Sequence, residues 1–286
     1  MFTEETSQQI TPPGEQHAET PVSTPEIEAL SPQPGRWLPW IEVAKALAIW
    51  TTSIALLLFI PVVFAVPYII FKVVQAGRFY PEIVMDTGVL FVSVAAVLPA
   101  HLLTLLVTRD IVTEGKPYSF WKAIAFEWPE SVRPSVVTLV SILLAVILLA
   151  FAYAVTSLYG GNKTQLDLLI ESSLPTRIAT AFVALATAPL VEEIIYRGVL
   201  YPAIEKAAGM SIAIITVSLL FAGVHVLQYK ENIAVIIMIS MLSIVLTVAR
   251  AVTGKVLPSF IIHLVFNGIQ SVLIVASGFV DKEWLK

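Results

Sequence analysis

The chain has 286 residues, of which 57% are hydrophobic and only 13% charged, against about 25% charged in an ordinary soluble domain. The net charge of −4, with no basic run, leaves nucleic-acid binding without an electrostatic footing. The absence of cysteine excludes a disulfide framework and any thiolate chemistry or thiolate metal site.

Residues 1–35 form a polar, proline-rich tail with no lysine or arginine before Arg36. Such a composition cannot bury enough apolar surface to offset the entropy of ordering, and it predicts disorder. The opening Met1-Phe2-Thr3-Glu4-Glu5 lacks a basic leader, so the first spanning helix is expected to act as its own insertion signal. Trp37 and Trp40 flank a proline and read as an interfacial anchor. Apolar helices then follow at roughly 43–74, 83–108, 134–157, 176–206, 209–228, 232–249 and 256–277, each long enough to cross a hydrocarbon core of about 30 Å.

The first of these carries Pro61 and Pro67, which predicts a kink or break. Between the second and third lies Lys116-Pro117-Tyr118-Ser119-Phe120-Trp121-Lys122-Ala123-Ile124-Ala125-Phe126-Glu127-Trp128. It is too short and polar to span, and its aromatics suit a short anchoring helix in the headgroup region. The predicted class is therefore all-α: a polytopic transmembrane helical bundle of about seven to eight spans. It would divide into a tail at 1–35, N-terminal helices at 36–170 with an interfacial segment near 115–130, and a chemistry-bearing core at 171–286. Counting Arg36, Lys45, Arg109, Lys116, Lys122, Arg133, Arg197, Lys206, Arg250 and Lys255 on the N-terminal side gives that side a small basic excess and leans the N-terminus inward.

An ionisable group at the bilayer centre costs about 2.5–3.5 kcal/mol on insertion scales, so each such group is a candidate for function. The first three helices offer only Asp86 and His101, whereas the last hundred residues hold Glu192, Glu193, Arg197, His225, His263 and Asn267. Asp86-Thr87-Gly88 matches an aspartic-protease triplet, but that chemistry needs two carboxylates sharing a proton and no second triplet exists. His101, beside Pro99, reads as a hydrogen-bonded packing residue.

Glu193 and Arg197 are four apart, so a helix places them on one face as a structural pair. Glu192 points about 100° away around the same helix. Pro189 upstream disturbs the local ladder. Phe221 lies one turn from His225, and His263 one turn from Asn267, while Gly223 and Gly268 beside them are expected to admit close neighbours. A packing network alone is a weak reason for so many polar groups, since interhelical hydrogen bonds in bilayers average about 0.6 kcal/mol.

The ordered set Glu192-Glu193-…-Arg197 (EExxxR), Phe221-…-His225 (FxxxH) and His263-…-Asn267 (HxxxN) resembles the signature of the CPBP family, which includes type II CAAX prenyl proteases and bacterial Abi-type proteins. The resemblance covers roughly residues 176–277. It implies a helical intramembrane endopeptidase in which Glu192 activates water with assistance from His225, while His263 and Asn267 bind the oxyanion. Glu193, Arg197 and Phe221 would be supporting residues. No cofactor is favoured, because Asn267 suits an oxyanion better than a metal and no HExxH is present. Zinc on Glu192, His225 and His263 stays open. The implied partners are membrane lipid and a peptide or lipidated protein, and the implied location is the cytoplasmic membrane as a multi-pass protein. A non-enzymatic scaffold or bacteriocin-immunity-type protein is the competing reading. A proton-relaying transporter would need an inverted repeat, and none is visible.

Overall fold

The computed structural model describes residues 38–114, 119–160, 163–277 and 279. Trp37, the tail at 1–35 and the start of the interfacial segment at 115–118 lie outside them. The described residues belong to one compact unit spanning Trp37–Lys286, and they form helices with no strand among them.

In chain order the helices are α1 (Leu38–Ala76), α2 (Thr87–Ala95), α3 (Val97–Thr113), α4 (Phe120–Ala123), α5 (Pro134–Tyr159) and α6 (Gln165–Ser172). They continue as α7 (Leu174–Phe182), α8 (Ala188–Glu193), α9 (Tyr201–Ala208), α10 (Met210–Tyr229), α11 (Ile233–Thr253) and α12 (Leu257–Ala276). α2 runs into α3 as one span, and α7, α8 and α9 form another, joined by π-helical segments at Val183–Thr187 and Ile194–Leu200. Among the described residues six helical runs are long and apolar enough to cross a membrane. The segment expected at 209–228 is α10, whose apolar run, Met210–Val226, is shorter. The protein is thus a polytopic all-α membrane protein.

Polar side chains at the helix ends explain where the spans stop. Asp86 caps α2, its carboxylate accepting from the backbone N–H of Gly88 at 2.9 Å, as an N-cap residue should. Lys72 lies 3.1 Å from the same carboxylate, so the Asp-Thr-Gly triplet is a helix cap. Although burial pushes its carboxyl upward, the Lys72 and Gly88 hydrogen bonds outweigh that and hold it below the ordinary range. Thr164 and Asp167 form a reciprocal capping box at α6, and Asn232 caps α11. Gly209 (φ 86°) and Gly254 (φ 68°) make the tight reversals after α9 and α11, a conformation that costs glycine little.

Three expectations change. Of the kink or break expected in α1, the break is absent: one helix runs through Pro61 and Pro67, since a spanning helix re-satisfies the freed backbone groups locally. Close approach falls at a different glycine: a Cβ on Gly223 would meet nothing within 4 Å, whereas one on Gly198 would lie 3.1 Å from Ile124 Cβ. A Cβ on Gly268 would make only an ordinary 3.4 Å contact, with Leu185. Arg197 and Arg250 are not loop cations, being 0% and 7% exposed, so the basic excess on the N-terminal side shrinks. The segment after Ser119 also does more than anchor. Phe120 and Ile124 are buried, Phe126 packs on Phe260, and the Ala125 carbonyl accepts from Val256 N–H at 2.9 Å.

Two apolar cores result. One gathers α1, α4, α8 to α10 and the intervening π segment around Ile194, Leu200, Tyr201 and Val217. The other joins α5, α11 and α12 around Leu148, Leu246 and Phe266. The motif-bearing helices α8, α10 and α12 supply side chains to a cavity alongside α11.

Candidate active site

Glu192 and Glu193 end α8, a six-residue α-helical stretch with Pro189 in its first turn and π-helical segments on either side. Such wide turns are rare and cluster at functional sites. Proline removes a ladder donor at the start, and the two adjacent carboxylates leave the helix in different directions.

Glu193 turns inward and is fully buried. Its Oε1 accepts from Arg197 Nη1 at 3.0 Å and from His263 Nδ1 at 3.0 Å. The Arg197 guanidinium, equally buried, donates from Nη2 to Ser243 O at 3.1 Å and to Thr247 Oγ1 at 3.2 Å on α11. It lies 4.7 Å over the Phe221 ring. The predicted pair is present, and it does more than neutralise itself: it ties α8 to α11 and α12. Arg250 of α11 completes this tie by donating from Nε to the Arg197 carbonyl at 3.0 Å.

Glu192 lines a cavity of about 260 Å³ together with Phe221, His225, His263 and Asn267. The residues singled out by the three motifs are thereby brought together from three helices. A carboxylate only accepts, so the His263 Nδ1 that meets Glu193 carries the proton. Its Nε2 then faces Glu192 Oε2 at 3.6 Å, longer than a hydrogen bond. His225 Nδ1 lies 2.8 Å from the Phe221 carbonyl, which is also acceptor-only, so His225 Nε2 is the nitrogen left available. Asn267 donates from Nδ2 to the Ala184 carbonyl at 2.9 Å, and that leaves its second amide hydrogen and its oxygen. His263 and Asn267 are one turn apart as expected, but each is held by a different part of the α7–α9 run.

Phe221 organises the site more than its spacing foretold. It stacks on His225 at 4.8 Å, meets His263 edge-on at 5.8 Å and Tyr196 at 5.0 Å. Tyr196 in turn accepts from Trp50 Nε1 at 3.0 Å, which brings α1 into the support of the site. His101 is a packing residue as expected, its Nδ1 2.9 Å from Thr187 Oγ1. Sequence reasoning missed Tyr229, Thr164 and Asp167, which also line the cavity. The signal for Tyr229 was present: it continues the four-residue spacing of Phe221 and His225, and its ring is nearly parallel to that of His225 at 6.5 Å. Nothing in the local sequence tied Thr164 or Asp167 to the site.

A zinc centre needs its donors about 2 Å from a common point. Among the described residues no three histidine, aspartate or glutamate side chains are grouped to hold a metal ion. The steps proposed below use protein groups and water.

Residues 174–269, roughly a third of the chain, match the family model described as type II CAAX prenyl endopeptidase Rce1-like. The matched stretch runs from the first residue of α7 into α12 and contains all three motifs. No curated protein and no solved structure matches the chain.

Proposed function

Taking residues 174–269 as a segment of the Rce1-like CAAX prenyl endopeptidase family, we propose that this protein is an intramembrane endopeptidase that hydrolyses a peptide bond of a membrane-associated, CAAX-type or other lipid-anchored substrate. The observation that carries the reading is the division of labour between adjacent carboxylates. Glu193 is consumed by Arg197 and His263, while Glu192 has no ion pair closer than 3.6 Å among the described residues and opens on the cavity.

In this mechanism Glu192 takes a proton from a water molecule whose oxygen attacks the scissile carbonyl carbon. It later returns that proton to the departing amine nitrogen as the C–N bond breaks. His225, with Nδ1–H committed to a carbonyl, offers the Nε2 lone pair to the same water. The free amide hydrogen of Asn267 is a donor for the oxyanion. His263 donates from Nε2 only as an imidazolium, and Glu193 beneath it is the group that would stabilise that charge, which makes Glu193 a positioning residue. Preorganised donors in a water-poor site are worth a few kcal/mol each.

The test is cleavage of an internally quenched, prenylated CAAX peptide by purified protein, comparing wild type with Glu192→Gln and adding a chelator in parallel. Loss of at least about a hundredfold in rate, with an unchanged melting temperature and no chelator effect, is expected. Undiminished cleavage by Glu192→Gln would sink the mechanism. Inhibition by the chelator would restore the metal alternative.

A further inference from the structure

The polar groups that line the cavity are not equally well anchored. His263 is fixed at Nδ1 by Glu193 at 3.0 Å, and Asn267 at Nδ2 by the Ala184 carbonyl at 2.9 Å. Both anchors come from another helical run. His225 differs, because its Nδ1 meets the Phe221 carbonyl at 2.8 Å, one turn back on its own helix. In the helical ladder that carbonyl also accepts from the backbone N–H of residue 225. Nε2 of His225 has no hydrogen bond among the described residues.

A single shared acceptor is a weak brake on an imidazole. The χ2 torsion of histidine is broad and roughly two-fold, and a half-turn about it puts carbon where each ring nitrogen stood. Ring packing is what opposes that turn. Phe221 stacks on His225 at 4.8 Å with the planes 29° apart, and Tyr229 follows at 6.5 Å with the planes 9° apart. Residues four before and four after lie on either side of a residue along one helix face. The imidazole is therefore enclosed between two rings, and turning it would drive its edges into both.

The two rings are held differently. Phe221 is 2% exposed and has the Arg197 guanidinium 4.7 Å over its ring, so it is a fixed floor. Tyr229 is the last residue of α10, half-buried, and lines the cavity beside Asn232. Burial, with the Glu192 and Asp167 carboxylates nearby, pushes its phenol up to about 12. Tyr229 therefore stays neutral near pH 7, and what it offers His225 is the flat face of its ring.

Resting on the hydrolytic reading above, we propose that Tyr229 is a positioning residue for the reaction: its ring closes the outer face of His225 and keeps the imidazole in the orientation that presents the Nε2 lone pair to the attacking water. The ring carries this role and the hydroxyl does not.

Two variants separate the parts of the side chain. Tyr229→Leu keeps an apolar group at the helix end and removes the flat ring, whereas Tyr229→Phe keeps the ring and removes the hydroxyl. Tyr229→Met takes the place of Tyr229→Leu should the latter not fold. Imidazole orientation is read independently of activity, by nitrogen-15 NMR of the histidine-labelled full chain in lipid nanodiscs, with the His225 signals identified by their loss in His225→Gln. Wild type should show one tautomer at His225, protonated at Nδ1. Tyr229→Leu should show mixed tautomers, and Tyr229→Phe should return the wild-type signals. With the quenched prenylated peptide, Tyr229→Leu should lower kcat by about tenfold with KM changed by no more than about twofold. Tyr229→Phe should recover most of that loss. Unaltered His225 signals in Tyr229→Leu overturn the proposal, whatever the cleavage assay shows. A Tyr229→Phe variant as impaired as Tyr229→Leu, or a loss confined to KM, overturns it as well. The expected signals without cleavage by wild type uphold the hold of Tyr229 on His225 and sink the hydrolytic reading.

Discussion

Helix α1 and the run from α7 to α9 are both long, apolar and rich in proline, yet they build different things. In α1 the most apolar window has a mean hydropathy of 2.8 and is 6% buried; in Leu174–Ala208 the values are 1.7 and 39%. Pro61 and Pro67 pass through α1 without interrupting it. Around Pro189 the helix opens into π segments on both sides and presents Glu192 and Glu193 to different partners. Proline alone therefore does not make a site in a membrane helix. It does so where the helix is surrounded by others whose side chains can take up the freed backbone and polar groups.

Stability measurements can break this comparison. The largest effect is expected from Arg197→Met, which strands the buried Glu193 carboxylate and should cost about 3–5 kcal/mol in a denaturant titration in detergent. Adding Glu193→Gln should recover part of that loss, because the stranded charge is then removed. A cost under 1 kcal/mol for Arg197→Met would mean that the inner face of this run is wetter than its burial implies.

Gly198→Val comes next. Its side chain would run into Ile124, already 3.1 Å from the position of a first Cβ, and overpacking of this kind costs about 1–3 kcal/mol. Ile124→Ala on the docked segment should offset only the part due to the outer methyl groups, since the Cβ remains; additive losses would show that those groups do not share the contact. In α1, by contrast, Phe59 is 68% exposed on the outer face, and Phe59→Ala should change stability by no more than about 0.5 kcal/mol.

The smallest effect concerns Glu127. The Lys255 ammonium beside it donates a hydrogen bond and holds its carboxyl below the ordinary carboxylate range. The stabilisation this brings is present above that ordinary range and is lost as pH falls through the lowered value. Glu127→Gln should slightly flatten the acid side of the stability–pH curve and leave neutral stability almost unchanged, since an exposed pair is heavily screened.

Much of the fold was legible because a bilayer imposes length. Runs near 43–74, 134–157 and 256–277 were expected, and α1, α5 and α12 occupy them. The Glu193–Arg197 pair and the Phe221–His225 stack were equally legible, because both lie four residues apart on one helix. The residues that hold the site from a distance in sequence were not. Ser243 and Thr247 beneath Arg197, Trp50 on Tyr196, and Ile124 against Gly198 are ordinary residues in apolar helices, and only the packing gives them a partner.

The sequence by itself determined the class of the molecule, the approximate limits of its helices and which six intramembrane polar residues were worth explaining, because each of these follows from local composition or a fixed helical period. The tertiary structure alone decided that Glu193 faces inward to His263 while Glu192 opens on the cavity. It also decided that Asp167, from a short helix outside the spans, helps to line that cavity. Both depend on how α6, α8, α10 and α12 are set against one another, and helical periodicity fixes directions within one helix but never between two.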